Sequence, residues 1–287
     1  MLYITYFLNG FLMIAIGVGW GLLLTRKFGL GWRLYGIGAL TFIASQVVHI
    51  PLNMLLTWLF KEGILPTPPE AWQLAFNCVV LGLSAGLCEE GARYLVYRWW
   101  AKNARSWRTG LLFGAGHGGV EALILGVMVL FGFFQMVAMK NIDLAAVVPA
   151  DQVTLAQQQI AAYWSANWYD TLLGAVERFF TVPLHLACAV LVLQTFTRRR
   201  WIWLPLAIGW HALADGVIVA IYTLHGAYIA EIAVAAFSLA SVAIIWALRQ
   251  PEPTPEPEPG PPTPPVAVAS LTPQEVTAAT LEESRYN

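Results

Sequence analysis

Apolar residues run along this chain in seven long blocks, roughly 3–24, 34–60, 71–98, 109–139, 171–197, 201–224 and 227–248. Each is long enough to cross a hydrocarbon core, which takes about 20 apolar residues in a helix. Lipid offers no partner for unpaired backbone amides, so helices are the spanning elements to expect. The pattern predicts an all-α, polytopic transmembrane helix bundle over residues 1–249.

Between the blocks the charges are unevenly placed. Arg26, Lys27 and Arg33 follow the first block, Arg98, Lys102, Arg105 and Arg108 the third, Arg198, Arg199 and Arg200 the fifth, and Arg249 the seventh. Connections on the other side carry only Lys61 and Lys140. Positive residues stay on the cytoplasmic side, so the expected topology has the N-terminus outside and the C-terminus inside a cell membrane. An odd number of spans agrees with that. Apolar residues reach directly into the N-terminus with no basic stretch before them and no evident small-residue cleavage site after them, which predicts a retained first span.

Two segments break the pattern. VTLAQQQIAAYW, within the long connection 141–170, reads as a short amphipathic helix on the outer surface or folded back over the bundle. From Gln250 to residue 287 the sequence turns to PEPTPEPEPGPPTPP and beyond, a composition that predicts an extended, disordered cytoplasmic tail.

Composition supports the membrane reading: 58% of the 287 residues are hydrophobic, 11% are charged, and mean hydropathy is +0.61. The net charge of -1 adds little because the two signs are segregated along the chain. Cys78, Cys88 and Cys188 lie in apolar runs without ligand spacing and read as small fillers. Trp99, Trp100, Trp107, Trp201 and Trp203 read as an interfacial belt. No basic aromatic surface or phosphate-cradling loop is present, which argues against a nucleic-acid partner.

Ionisable residues within spans are rare and mark function or pairing. The third span carries Glu89, Glu90 and Arg93, the fourth His117 and Glu121, the fifth Glu177, Arg178 and His185, and the sixth His211 and Asp215. Gln46, His49 and Asn53 make a polar stripe on the second span, and Glu231 lies near the outer end of the seventh. With about 1.5 Å of rise per residue, Glu90, His117 and His211 stand roughly 12, 13 and 16 Å from the basic ends of their helices. Three helices thus present them at nearly one level, which predicts a single pocket facing the inner leaflet. His185 falls a turn or two higher, and Glu177 near the outer face.

Pairs four apart share a helix face, as do Glu89 with Arg93, His117 with Glu121, and His211 with Asp215. Two such pairs can supply imidazole and carboxylate ligands to a divalent ion, leaving a glutamate to take a proton from water. Alone, each has a plainer reading: Glu and Arg four apart neutralise one another, and a buried His bonds a neighbouring helix. That plainer reading is preferred for His49 and for Glu177 with Arg178. Agreement in depth lifts the other residues above it.

The ordered set EExxR (Glu89, Glu90, Arg93), GHGGVEA (His117, Glu121), ER with a later His (Glu177, Arg178, His185) and HALAD (His211, Asp215) resembles the YhfC family of intramembrane metalloproteases. It is also similar to the PrsW proteases and to the CAAX-processing and bacteriocin-processing Abi proteases; Phe113 with His117 matches their FxxxH signature. The resemblance implies hydrolysis of a peptide bond in a membrane protein or peptide. It implies that Glu89 or Glu90 is the general base, oriented by the other and by Arg93. His117, His211 and Asp215 are implied to hold zinc or the catalytic water, with Glu121 and His185 accessory. A metal-free mechanism, in which glutamate and histidine alone position the water, stays open on this reading. The arginine stands three residues after the second glutamate rather than four, so the choice between the glutamates is open too. A proton- or ion-coupled transporter using the same residues as a relay is the main alternative. A scaffold recruiting partners through its tail and a haem protein are weaker ones.

Overall fold

The computed structural model describes residues 1–251; the tail expectation falls on residues outside that range, apart from Gln250 and Pro251. Nine α-helices form among the described residues: α1 (Leu2–Phe28), α2 (Arg33–Lys61), α3 (Glu70–Trp99), α4 (Trp107–Met139), α5 (Leu144–Val147), α6 (Val153–Trp164), α7 (Leu173–Thr197), α8 (Trp203–His225) and α9 (Ala227–Ala247). Seven are long and apolar enough to cross a membrane, a short 3₁₀ turn at Asp170–Leu172 extending α7. Their bounds fall within four residues of the apolar blocks.

Local chemistry sets the breaks. Gly29 adopts φ 65°, which glycine reaches without strain, and its N–H and that of Leu30 both close on the Thr25 carbonyl to end α1. Pro69 stands at the N-cap of α3. Ser106 and Thr109 form a reciprocal capping box that starts α4. Gly226, at φ 81°, divides α8 from α9.

The spans pack around α7, whose apolar window is 78% buried against 17–33% for the other six. Outward surfaces are apolar, with Val47, Phe131 and Leu239 each about 70% exposed, as a bundle solvated by lipid requires. Inside, small residues bring backbones together. A Cβ on Gly17 would lie 2.3 Å from the Gly119 carbonyl oxygen, one on Gly38 would lie 2.1 Å from that of Phe113, and one on Gly116 would lie 2.0 Å from that of Tyr35. These contacts seat α4 against α1 and α2, and Gly82 does the same for α3 against Ala212 of α8. The helix α6 folds back over the bundle: Tyr163 stacks on Tyr6 of α1 at 4.0 Å, and the Tyr6 hydroxyl donates to the Tyr163 carbonyl at 2.7 Å.

Candidate active site

Helix α3 delivers Glu89, Glu90 and Arg93 to the centre of the bundle, where they are 6%, 0% and 0% exposed. Full burial of a charge demands partners, and α4, α7 and α8 supply them. Arg93 pairs with Glu90 through Nη1, and its Nη2 donates to His185 Nδ1 at 2.9 Å. His211 Nδ1 lies 2.7 Å from Glu90 Oε1. His117 Nε2 lies 3.0 Å from Glu89 Oε2.

One carboxylate oxygen is the hub. Besides His117, Glu89 Oε2 has Arg93 Nη2 at 3.7 Å and both His185 Nδ1 and His211 Nε2 at 3.9 Å. The other oxygen, Oε1, accepts from Gln46 Nε2 of α2 at 3.1 Å. Five helices thus meet on one side chain. Glu90 is the anchor: its Oε1 serves Arg93 and His211, and its Oε2 is buried without a partner.

Partners fix the imidazoles. A guanidinium can only donate, so His185 accepts at Nδ1 and presents Nε2–H to Glu121 Oε2, 2.7 Å away. With Nδ1 donating to Glu90, His211 turns Nε2 towards Glu89 and towards Asp215 Oδ2 at 3.5 Å, two carboxylate acceptors that an Nε2–H suits. Asp215, 35% exposed in its side chain, stands at the edge of the centre rather than within it. Glu121 also accepts from Arg178 at 2.5 Å, and Arg178 pairs with Glu177. The ion-pair reading of Glu177 and Arg178 therefore stands, but the pair continues into the centre through Glu121 and His185. His49 bonds Ser84 of α3 at 3.2 Å, the inter-helix role expected of it.

A cavity of about 330 Å³ opens on the centre, and Glu89 and His211 line it while Glu90 does not. It runs outward past Asp215, Glu121, Arg178 and Glu177, away from the arginine-bearing loops. That is the side opposite the basic loops, whereas depth counting places the pocket towards them. On the basic-loop side Arg93 is followed by Tyr97, Leu112, Phe113 and Leu193, none more than 1% exposed. Depth counting locates a layer but not which side of it is packed shut.

Sequence reasoning missed Gln46 as a direct partner of Glu89, although the stripe it forms with His49 and Asn53 was visible. His185, expected a turn or two higher, lines the cavity and also reaches the centre itself, with Nδ1 3.9 Å from Glu89 Oε2.

Among the described residues, two groups of side chains hold ligand atoms within 4.8 Å of one another: Glu89, His117 and His185, and Glu90, Cys188 and His211. The first is a carboxylate and two imidazoles, of which Glu89 and His185 line the cavity, a donor set that fits a divalent cation. An ion taking His185 Nδ1 would displace Arg93 from it.

Fold and centre together define a seven-span integral membrane protein with a buried carboxylate, imidazole and guanidinium centre. The chain belongs to the YhfC intramembrane metalloprotease family, whose family model matches residues 11–238. A Bacillus subtilis (strain 168) protein described as "Uncharacterized membrane protein YhfC" is 28% identical over 218 residues, covering 72% of this chain and 80% of the relative. No solved structure matches the chain.

Proposed function

We propose that the chain is an intramembrane endopeptidase and that Glu89 is its proton-accepting carboxylate. The observation that carries this reading is the division of labour between adjacent glutamates: Glu89 lines the cavity, whereas Glu90 is enclosed and committed to Arg93 and His211. Water reaching the cavity meets Glu89, which takes its proton as the water oxygen bonds to the scissile carbonyl carbon. Negative charge gathering on that carbonyl oxygen faces His211, held by Glu90, in a setting of low dielectric. As the C–N bond breaks, Glu89 returns the proton to the leaving amine. His117 and His185 would hold the metal beside Glu89, zinc being the ion such donors suit, and when bound it supplies Lewis-acid polarisation of water and carbonyl while Glu89 keeps its carboxylate for the proton. Apolar packing below Arg93 favours a site open to one side over a transport conduit.

The test compares new N-termini in the membrane proteome of cells expressing the wild type, Glu89→Gln or an empty vector. Termini dependent on the wild type and reduced by about 10²- to 10⁴-fold in Glu89→Gln support the reading. Their persistence in that variant, or no dependent termini at all, overturns it.

A further inference from the structure

The polar stripe on α2 belongs to no part of the mechanism above, yet it connects two cavities. Asn53 and Leu81 line both the cavity that holds Glu89 and a second one, of about 340 Å³, between the outer halves of α2 and α3. The second cavity is walled mostly by apolar side chains, Leu56, Phe60, Phe76 and Val80, and reaches Thr67 and Pro68 at the outer end of the seam. Together they make a groove leading inward to the reactive carboxylate, with Asn53 at the join.

At that join one hydrogen-bonding atom is left over. Asn53 Nδ2 donates to His49 Nε2 at 3.0 Å, so His49 presents Nδ1–H to Gln46 Oε1 at 3.3 Å, and Gln46 donates to Glu89. Read from the Glu89 carboxylate through a neutral His49, whose Nε2 also has Ser84 Oγ at 3.2 Å, donors and acceptors run in one direction and leave Asn53 Oδ1 unpaired. That oxygen is buried and has no partner, an unfavourable state for a carbonyl acceptor. An unpaired acceptor on the residue shared by both cavities, closed off from solvent until the seam parts, matches a peptide backbone N–H flanked by apolar side chains.

We infer that the α2–α3 seam is the substrate groove: it admits an apolar peptide segment from the end opposite the basic loops, and Asn53 Oδ1 accepts a backbone N–H of that segment. Gln46 and His49 are positioning residues that tie the occupied groove to the Glu89 carboxylate. The inference deepens the endopeptidase reading and rests on it for the identity of the ligand.

The test reads binding apart from cleavage. Full-length Glu89→Gln protein carrying Asn77→Cys, a groove-lining position, is reconstituted in liposomes with a synthetic 20-residue Ala–Leu peptide and alkylated with a maleimide. The peptide is expected to slow alkylation at position 77 at least 5-fold, and Asn53→Leu is expected to abolish that protection. Thr57→Cys, on the opposite wall, is the second reporter should Asn77→Cys fold poorly. Unprotected reporters, or protection indifferent to Asn53→Leu, overturn the groove even if Glu89-dependent termini are found. Protection in a chain that produces no such termini keeps the groove and sinks the endopeptidase reading.

Discussion

Glu90 and His211, 121 positions apart in sequence, meet at 2.7 Å in a part of the bundle where neither is more than 2% exposed. Arg93 closes the arrangement from the same helix as Glu90. Removing one partner of such a pair leaves the other charged and unsolvated, which costs about 3–5 kcal/mol. Glu90→Ala should therefore lower stability by about that amount, measured by denaturation of purified protein in detergent. Glu89→Ala should cost less, because Glu89 borders the cavity, whose water can enter the space the side chain leaves, and Arg93 keeps Glu90. Equal losses in the two variants would contradict the assignment of Glu90 as anchor.

Helix seating makes a second expectation. The Gly116 position is closed by the Tyr35 carbonyl at 2.0 Å, whereas nothing lies within 4 Å of a Cβ on Gly132 of the same helix. Gly116→Ala must push α4 from α2 and carry His117 with it, lowering thermal stability and any Glu89-dependent cleavage together. Gly132→Ala should change neither, or raise stability slightly through helix propensity. Parallel melting curves of the two variants decide the matter.

Seven spans and the level of the central residues were legible in the sequence because hydropathy and helical rise are one-dimensional quantities. Azimuth is not. Counting from Arg98, Arg108 and Arg200 put Glu90, His117 and His211 in one layer, but which nitrogen meets which oxygen depends on how glycines such as Gly38 and Gly116 let the helices approach and rotate. For the same reason Gln46 looked like one member of a stripe rather than a partner of Glu89. The direction of the cavity was hidden too, since it depends on Tyr97 and Phe113 filling the space beside Arg93, at ring centroids 4.7 Å apart.

The donor set gives a third expectation, independent of any substrate. If His117 and His185 hold the ion beside Glu89, His117→Ala should lose at least half of the metal that copurifies with the wild type, measured by elemental mass spectrometry. Asp215→Ala, which belongs to neither ligand group, should keep it. Loss in Asp215→Ala with retention in His117→Ala would move the ligands to the edge of the cavity.

Outside the spans, α6 is held by aromatic contacts and by the Tyr6 hydroxyl, which donates to the Tyr163 carbonyl. Tyr163 stacks on Tyr6, Trp164 lies 4.5 Å from the Tyr3 ring, and Lys140 sits over Trp164 at 4.5 Å. None of these reaches the central carboxylates, and no residue of α6 is buried. Aromatic pairs of this kind contribute about 0.5–1.5 kcal/mol beyond area burial. Tyr163→Ala should therefore release α6 without unfolding the bundle: amides 153–164 should exchange with deuterium faster, while those of α7 stay protected. Burial holds the Tyr163 hydroxyl up at about 12, so it stays neutral and this docking should not change between pH 6 and about 9. Faster exchange throughout α7 in the same variant would show instead that α6 is a structural brace for the core, and the functional variants would then need to be judged against that loss.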